Sequence, residues 1–317
     1  MCYHRTGELE FRGAFDGAII DATPAQFDQQ IELLTREFRV VGLDEVVAHI
    51  ERGAKLPPNP VLITFDDGYR DCLHVTAPIL KRHGARGAFF IPTSFVNERK
   101  MFWWDRYAWI LENARTEVLE LTYPMPMVLR TTTAEERQIA HRKLTDLTKK
   151  HYGLDLVRFV DELETAAATH LERAVERRMV DETLMTWDEV RALASEGMSI
   201  GSHSHSHRVL QTIPSSDYER ELVGSRRELE ERLDTEVRSL AYPVGYPLGE
   251  NPELRRAVRE AGYAVGFSCR AGAFGGGFGR DPYDVPRFLM DMSYRFQLLR
   301  AMITVPTLGP RSTIDIA

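Results

Sequence analysis

Three histidines alternate with serines in Ser202-His203-Ser204-His205-Ser206-His207, and a turn of the backbone there lets the imidazoles of His203 and His207 converge on one metal ion. A second cluster lies far upstream, where Thr64-Phe65-Asp66-Asp67-Gly68-Tyr69 closes an apolar run with two adjacent carboxylates. Two like charges side by side repel, and a nearby cation is the usual reason for keeping them. Two imidazoles and one carboxylate leave a divalent ion open positions for water and substrate, which suits catalysis rather than a closed structural site. Such an ion lowers the pKa of its bound water from about 15.7 to about 7. Successive strand side chains diverge, so one carboxylate can bind the ion while its neighbour takes the water's proton. Each cluster alone has a plainer reading: a solvated polar loop for the histidines, and for Asp-Asp-Gly a turn in which Asp66 caps the next helix.

Positions 66–67 and 203–207 meet only if the intervening elements bring them to one edge. Residues 60–65 (Pro-Val-Leu-Ile-Thr-Phe) are predicted as a buried parallel strand, which places both aspartates at its C-terminal end, where α/β sites form. Strand and helix patterns alternate around it. A helix over 25–37 with Phe27, Ile31, Leu33 and Leu34 inward precedes a brief strand at 40–41 and a helix from Leu43 that stops before Gly53. Beyond the aspartates come a helix over 77–83 and a strand over 88–91, then a helix capped by Thr186 and a strand over 198–201 leading into the histidines. A charged helix over 216–233, a strand over 237–242, a helix over 252–261 and a strand over 264–267 continue the pattern. A last short strand is expected around Arg287, and a helix near 296. This alternation predicts an α/β fold with a parallel sheet. Residues 102–182 instead carry long helical periods, read as a helical insertion without strands inside a single domain spanning 1–317. Residues 272–279 are too glycine-dense for regular structure and are expected to form a mobile loop.

A chain of 317 residues, 43% of them hydrophobic, has ample material for such a core. The net charge of −7 and a pI near 5.9, with no basic run, exclude general affinity for nucleic acid or an anionic membrane. Cys2, Cys72 and Cys269 are odd in number and irregularly spaced, which excludes a disulfide framework and a cysteine zinc site. No apolar run approaches the ~18 residues of a membrane span, and the first residues lack the layout of a secretory signal. A cytoplasmic protein is expected, with export of a longer precursor left open.

The run 61–69, the element His203-Ser204-x-x-His207 and the element Ala241-Tyr242-Pro243-x-Gly245 resemble the motifs of the polysaccharide deacetylases, also called the NodB-homology or carbohydrate esterase 4 family. The resemblance runs from Tyr3 to about Phe288, apart from 102–182. It implies a distorted (β/α)7 barrel and metal-dependent removal of an N-acetyl or O-acetyl group from a sugar. It also implies that Asp67, His203 and His207 bind the metal, that Asp66 is the general base, and that the Tyr242 backbone N–H holds the oxyanion. Zinc comes first for this donor set, which also accepts cobalt, nickel, manganese or iron.

One departure from the family is large: most members carry a catalytic-acid histidine in a C-terminal motif, and this chain has no histidine after His207. The permuted branch, which includes poly-N-acetylglucosamine deacetylases, places it in a Tyr-His pair before the Asp-Asp motif. Tyr3-His4 resembles that pair, so His4 is expected to be the general acid. Arg287, in Asp284-Val285-Pro286-Arg287, looks like the arginine that holds the catalytic aspartate; the arginine expected beside Tyr242-Pro243 is missing, with Arg238 upstream a partial substitute. Trp103, Trp104 and Asp105 are candidates to line a sugar site, since aromatic faces suit pyranose rings. His205 is a candidate supporting residue, whereas His74, His83, His141, His151 and His170 show no ligand spacing. The expected function is removal of N-acetyl groups from amino sugars of a polysaccharide or glycan precursor, with an N-acetylated glycan as partner. A deformylase or cyclic-amide hydrolase would use the same residues, and a catalytically silent glycan-binding protein would keep the barrel alone.

Overall fold

Six strands form one parallel sheet in a computed structural model that describes residues 1–8, 19–249, 251–273, 281–294 and 296–304. Their spatial order is Cys2–Tyr3, Thr64–Phe65, Ala88–Ile91, Ser199–Ser202, Ser239–Ala241 and Val265–Phe267. Every neighbour in that order runs parallel. Residues 285–290 then bridge the two outer strands. Val285 pairs with Phe267, Leu289 pairs with Cys2, and Cys2 N–H donates to Phe288 O at 2.7 Å while Met290 N–H donates to Cys2 O at 2.8 Å. The sheet closes on itself as a distorted (β/α) barrel, and the short segment around Arg287 is its seventh stave.

Strand parity sorts the core into two layers. Phe65 faces outward, stacks on Phe89 (centroids 4.6 Å apart) and meets Phe27 of the helix Pro24–Glu37. Thr64 and Asp66, one residue to either side, point inward to Arg287. Ala88, Phe90, Ala241, Val265, Phe267 and Val285 fill the barrel interior. Helix ends follow the sequence signals: Thr23 and Thr186 cap their helices with reciprocal side-chain bonds, and Gly53 ends the helix Leu43–Arg52 at φ 67°.

Three expectations need correction. The run 60–65 is not one strand: Pro60–Val61 pairs with Arg39–Val40 outside the barrel, and the chain steps inward before Thr64–Phe65 joins the main sheet. The helix expected over 216–233 opens with a wide turn at Glu219–Gly224 and becomes α-helical only over Ser225–Leu233. Residues 102–182 contain a hairpin, Val118–Leu121 with Met127–Arg130, among the helices Trp103–Glu112, Ala134–Lys150, Leu156–Ala166 and Arg173–Thr183. Its first strand alternates exposed and buried residues over only four positions, too few for a period of two to stand out among helical windows. This segment packs around its own apolar cluster, which includes Phe102, Tyr107, Phe159 and Leu163. The glycine-dense loop falls mostly outside the described residues. No helix among those described is long and apolar enough to cross a membrane.

Candidate active site and metal centre

The strand ends gather the chemistry at one mouth of the barrel, in a cavity of about 270 Å³ lined by His4, Asp66, Asp67, His203 and His207. Ligand atoms of Asp67, His203 and His207 lie within 4.8 Å of one another, and all three side chains are buried. The Asp67 Oδ1 atom stands 3.3 Å from His203 Nε2 and 3.1 Å from His207 Nε2. That oxygen makes no hydrogen bond. A buried carboxylate oxygen left without a hydrogen bond and facing two imidazole nitrogens is a costly arrangement for protein atoms alone, and the donor set suits a divalent cation. His203 is oriented for that role, because its Nδ1–H donates to Ala241 O at 2.8 Å and leaves the Nε2 lone pair facing the cluster. Burial lowers the His207 pKa and favours the neutral imidazole that binds metal; on His203 the Asp66 and Asp67 carboxylates outweigh burial and raise it.

The two histidines do not converge by sharing a helix face. Ser204 and His207 adopt left-handed conformations, at φ 62° and 51°, and fold the loop back. Asp67 at φ 73° and Val244 at φ 62° are similarly held, so backbone strain concentrates around this cavity. The loop is clamped by Glu221: Oε2 accepts from Ser206 N–H at 2.8 Å and His205 N–H at 3.2 Å, and Oε1 accepts from the Ser206 hydroxyl. His205 turns away from the cluster to meet Thr93 Oγ1 at 2.9 Å.

Asp66 faces the other partner. Arg287 grips it with two parallel hydrogen bonds, both 2.8 Å, and the pair is almost fully buried. Burial disfavours the charged carboxylate, but the guanidinium outweighs it and holds Asp66 below its ordinary pKa. Across the cavity, His4 Nδ1 lies 3.1 Å from Asp21 Oδ2. Burial opposes protonation of His4, yet Asp21 prevails and raises it to about 10. Burial also lifts the Asp21 carboxyl, although His4 acts against that rise. Asp21 escaped the sequence reading.

Tyr242 departs from expectation. Its N–H donates to Phe267 O at 3.0 Å within the barrel ladder and is not free to hold an oxyanion, while its hydroxyl donates to Tyr283 O. The following turn offers a different amide. Pro243 has no N–H and Gly245 N–H donates to Tyr242 O, which leaves Val244, a residue lining the cavity. Arg238 lies outside the site, paired with Glu51 and Glu236. Trp103 and Trp104 line the cavity from the 102–182 segment, together with Thr145 and Lys149. Trp104 packs edge-on to His207 at 4.8 Å, and Asp105 is buried behind it, accepting from Tyr69.

The chain is thus a curled, mostly parallel (β/α) barrel with an Asp-His-His cluster at the C-terminal ends of its strands. Residues 53–175 and 166–266 match the sequence model of the polysaccharide deacetylases, and the chain belongs to that family. A putative polysaccharide deacetylase of Bacillus subtilis (strain 168), YxkH, is 26% identical over 89 residues, 28% of this chain and only 31% of that relative. Among solved structures, the chain is similar to the Streptococcus pyogenes deacetylase PplD, at a TM-score of 0.57 and 15% identity over 92% of this chain and 91% of that one. IcaB from Ammonifex degensii gives a TM-score of 0.57 and 17% identity over 96% and 94%. At these identities the likeness concerns the fold.

Proposed function

We propose that this chain is a divalent-metal-dependent hydrolase that removes N-acetyl groups from amino sugars of a polysaccharide or glycan precursor. The observation that carries the reading is the convergence of Asp67, His203 and His207 within 4.8 Å, flanked by Asp66 and with His4 lining the same cavity. A cation held by those three, zinc before cobalt, nickel, manganese or iron, supplies Lewis acidity and an acidified water. Asp66, kept ionised by Arg287, accepts the proton of the attacking water. The Val244 amide donates to the acetyl oxygen as it gains charge. His4, protonated at neutral pH and oriented through Nδ1 by Asp21, donates from Nε2 to the departing amine. The C–N bond breaks, and acetate and the free amino sugar leave. The PplD structure is of a complex with acetate, the product this scheme requires. Residues 102–182 interrupt a single catalytic domain between the strands Ala88–Ile91 and Ser199–Ser202 and bring Trp103 and Trp104 to the sugar.

The test combines elemental metal analysis with acetate release from chitooligosaccharides, peptidoglycan, exopolysaccharide and nucleotide sugars. Asp66→Asn is expected to keep its metal and lose turnover by about 10²- to 10⁴-fold. A variant with full turnover would refute the assigned base, and unchanged metal content in His203→Ala/His207→Ala would refute the ligand set.

A further inference from the structure

Behind the Asp66–Arg287 pair lies a second buried cluster that the mechanism leaves unused. Cys2 Sγ is 3.8 Å from Cys269 Sγ and donates to Asp66 Oδ2 at 3.5 Å, and Arg287 Nη2 donates to Cys269 Sγ at 3.5 Å. The donor atoms of Cys2, Asp66 and Cys269 lie within 4.8 Å of one another. A second metal ion is disfavoured there, because the guanidinium already places a fixed positive charge on both Asp66 and Cys269. Cys269 also lines the catalytic cavity, which gives a small polar oxidant a route toward this cluster.

We propose that Cys2 and Cys269 form a hydroperoxide-sensitive thiol pair whose oxidation to a disulfide disables the Asp66–Arg287 couple. The Cys269 thiolate attacks one peroxide oxygen; the O–O bond breaks, hydroxide leaves and Cys269 becomes a sulfenic acid. The Cys2 sulfur then attacks Cys269 sulfur, the S–O bond breaks, and the departing hydroxide takes the Cys2 proton as water. Two electrons pass from the two sulfurs to one peroxide. The contact with Cys2 and the nearby guanidinium favour the thiolate at Cys269, bringing it to about 6 against the opposing effect of burial. Burial raises Cys2 and keeps it a thiol.

Closure must bring the sulfurs from 3.8 Å to about 2.05 Å. That movement removes the proton Cys2 gives to Asp66 and the sulfur that accepts from Arg287. The base and its clamp then sit in an altered wall, and displacement of a catalytic group by about 1 Å costs on the order of 10²-fold. Cys72 has no part in this, since its Sγ faces His4 O.

The experiment treats the metal-loaded protein with hydrogen peroxide and follows two readouts, non-reducing peptide mapping and deacetylation relative to each variant's own untreated rate. A Cys2–Cys269 linkage is expected, with activity down by roughly 10- to 100-fold and restored by dithiothreitol. Cys72→Ser should respond in the same way, Cys269→Ser should resist, and Cys2→Ser should trap a sulfenic acid at Cys269 that dimedone labels. Absence of the linked peptide overturns the proposal, as does equal inactivation of Cys269→Ser or a linkage that leaves activity intact. The linkage is read by mass whatever the substrate, so failure of the deacetylase assignment leaves that arm standing.

Discussion

Two protonation states are set in opposite directions across one cavity: Arg287 holds Asp66 ionised, and Asp21 holds His4 protonated. The proposed mechanism needs a base and an acid to coexist at one pH, and these two environments supply the separation it requires. Removing Asp21 takes away the main charge that opposes burial at His4, leaving Asp66 and Asp67 to oppose it, so the pKa falls from about 10. Asp21→Asn is therefore expected to move the alkaline limb of the kcat–pH profile downward, with the largest loss at mildly alkaline pH and the least on the acid side. A limb that stays in place would show that His4 is not the acid. Nothing in the sequence pairs these residues, which are 17 positions apart with no motif between them. They meet because the strand Ile20–Ala22 pairs in parallel with Arg5–Thr6, each only two or three residues long.

At the level of elements, the strands that lead into the Asp-Asp and His motifs were legible because short runs of apolar and small residues end directly in those motifs. The supports were not. Glu221 lies in the charged stretch Glu219-Arg220-Glu221, where its type and spacing match solvent-facing neighbours, yet it is 1% exposed and anchors the histidine loop. The Tyr242 amide was misjudged for a related reason: the family motif spans a strand end and a turn, and the sequence does not show that Tyr242 N–H is taken up by the Phe267 carbonyl. Because Glu221 holds Ser206 and His205 by their backbone amides, its loss should loosen the path from His203 to His207 without touching a ligand. Supporting contacts of this kind are worth about 10- to 100-fold in metal affinity. Glu221→Gln is expected to weaken metal binding on that scale in a competitive chelator titration, at nearly unchanged thermal stability of the metal-free protein. Unaltered affinity would show that the left-handed turns alone fix the loop.

Across the whole molecule, barrel closure and the Asp66–Arg287 pair are linked. Arg287 reaches Asp66 over 221 residues of sequence because the 285–290 segment fills the gap between the strands Cys2–Tyr3 and Val265–Phe267. The closing stave thus inserts a guanidinium between the Phe90 and Phe267 rings, 5.6 and 5.8 Å from their centroids, and caps it with a carboxylate. Removing one partner of so buried a pair strands the other charge, at a cost of about 3–5 kcal/mol. Arg287→Met should lower stability by that amount at neutral pH, and Asp66→Asn in the same background should recover part of it. The pH dependence has a definite sign. In the wild type, Asp66 has a folded pKa below its unfolded value near 3.8, so the pair's contribution is present above that pH and lost as pH falls through the folded value. In Arg287→Met, burial loses its main opponent, with only His203 and His4 still acting against it, and the folded pKa rises, so protonation relieves the penalty as pH falls. Chemical denaturation in the presence of a chelator, compared at neutral pH and near the unfolded pKa, should show the two proteins converging in stability on the acid side. A constant gap at both pH values would mean that Arg287 stabilises the barrel by packing rather than by its charge on Asp66.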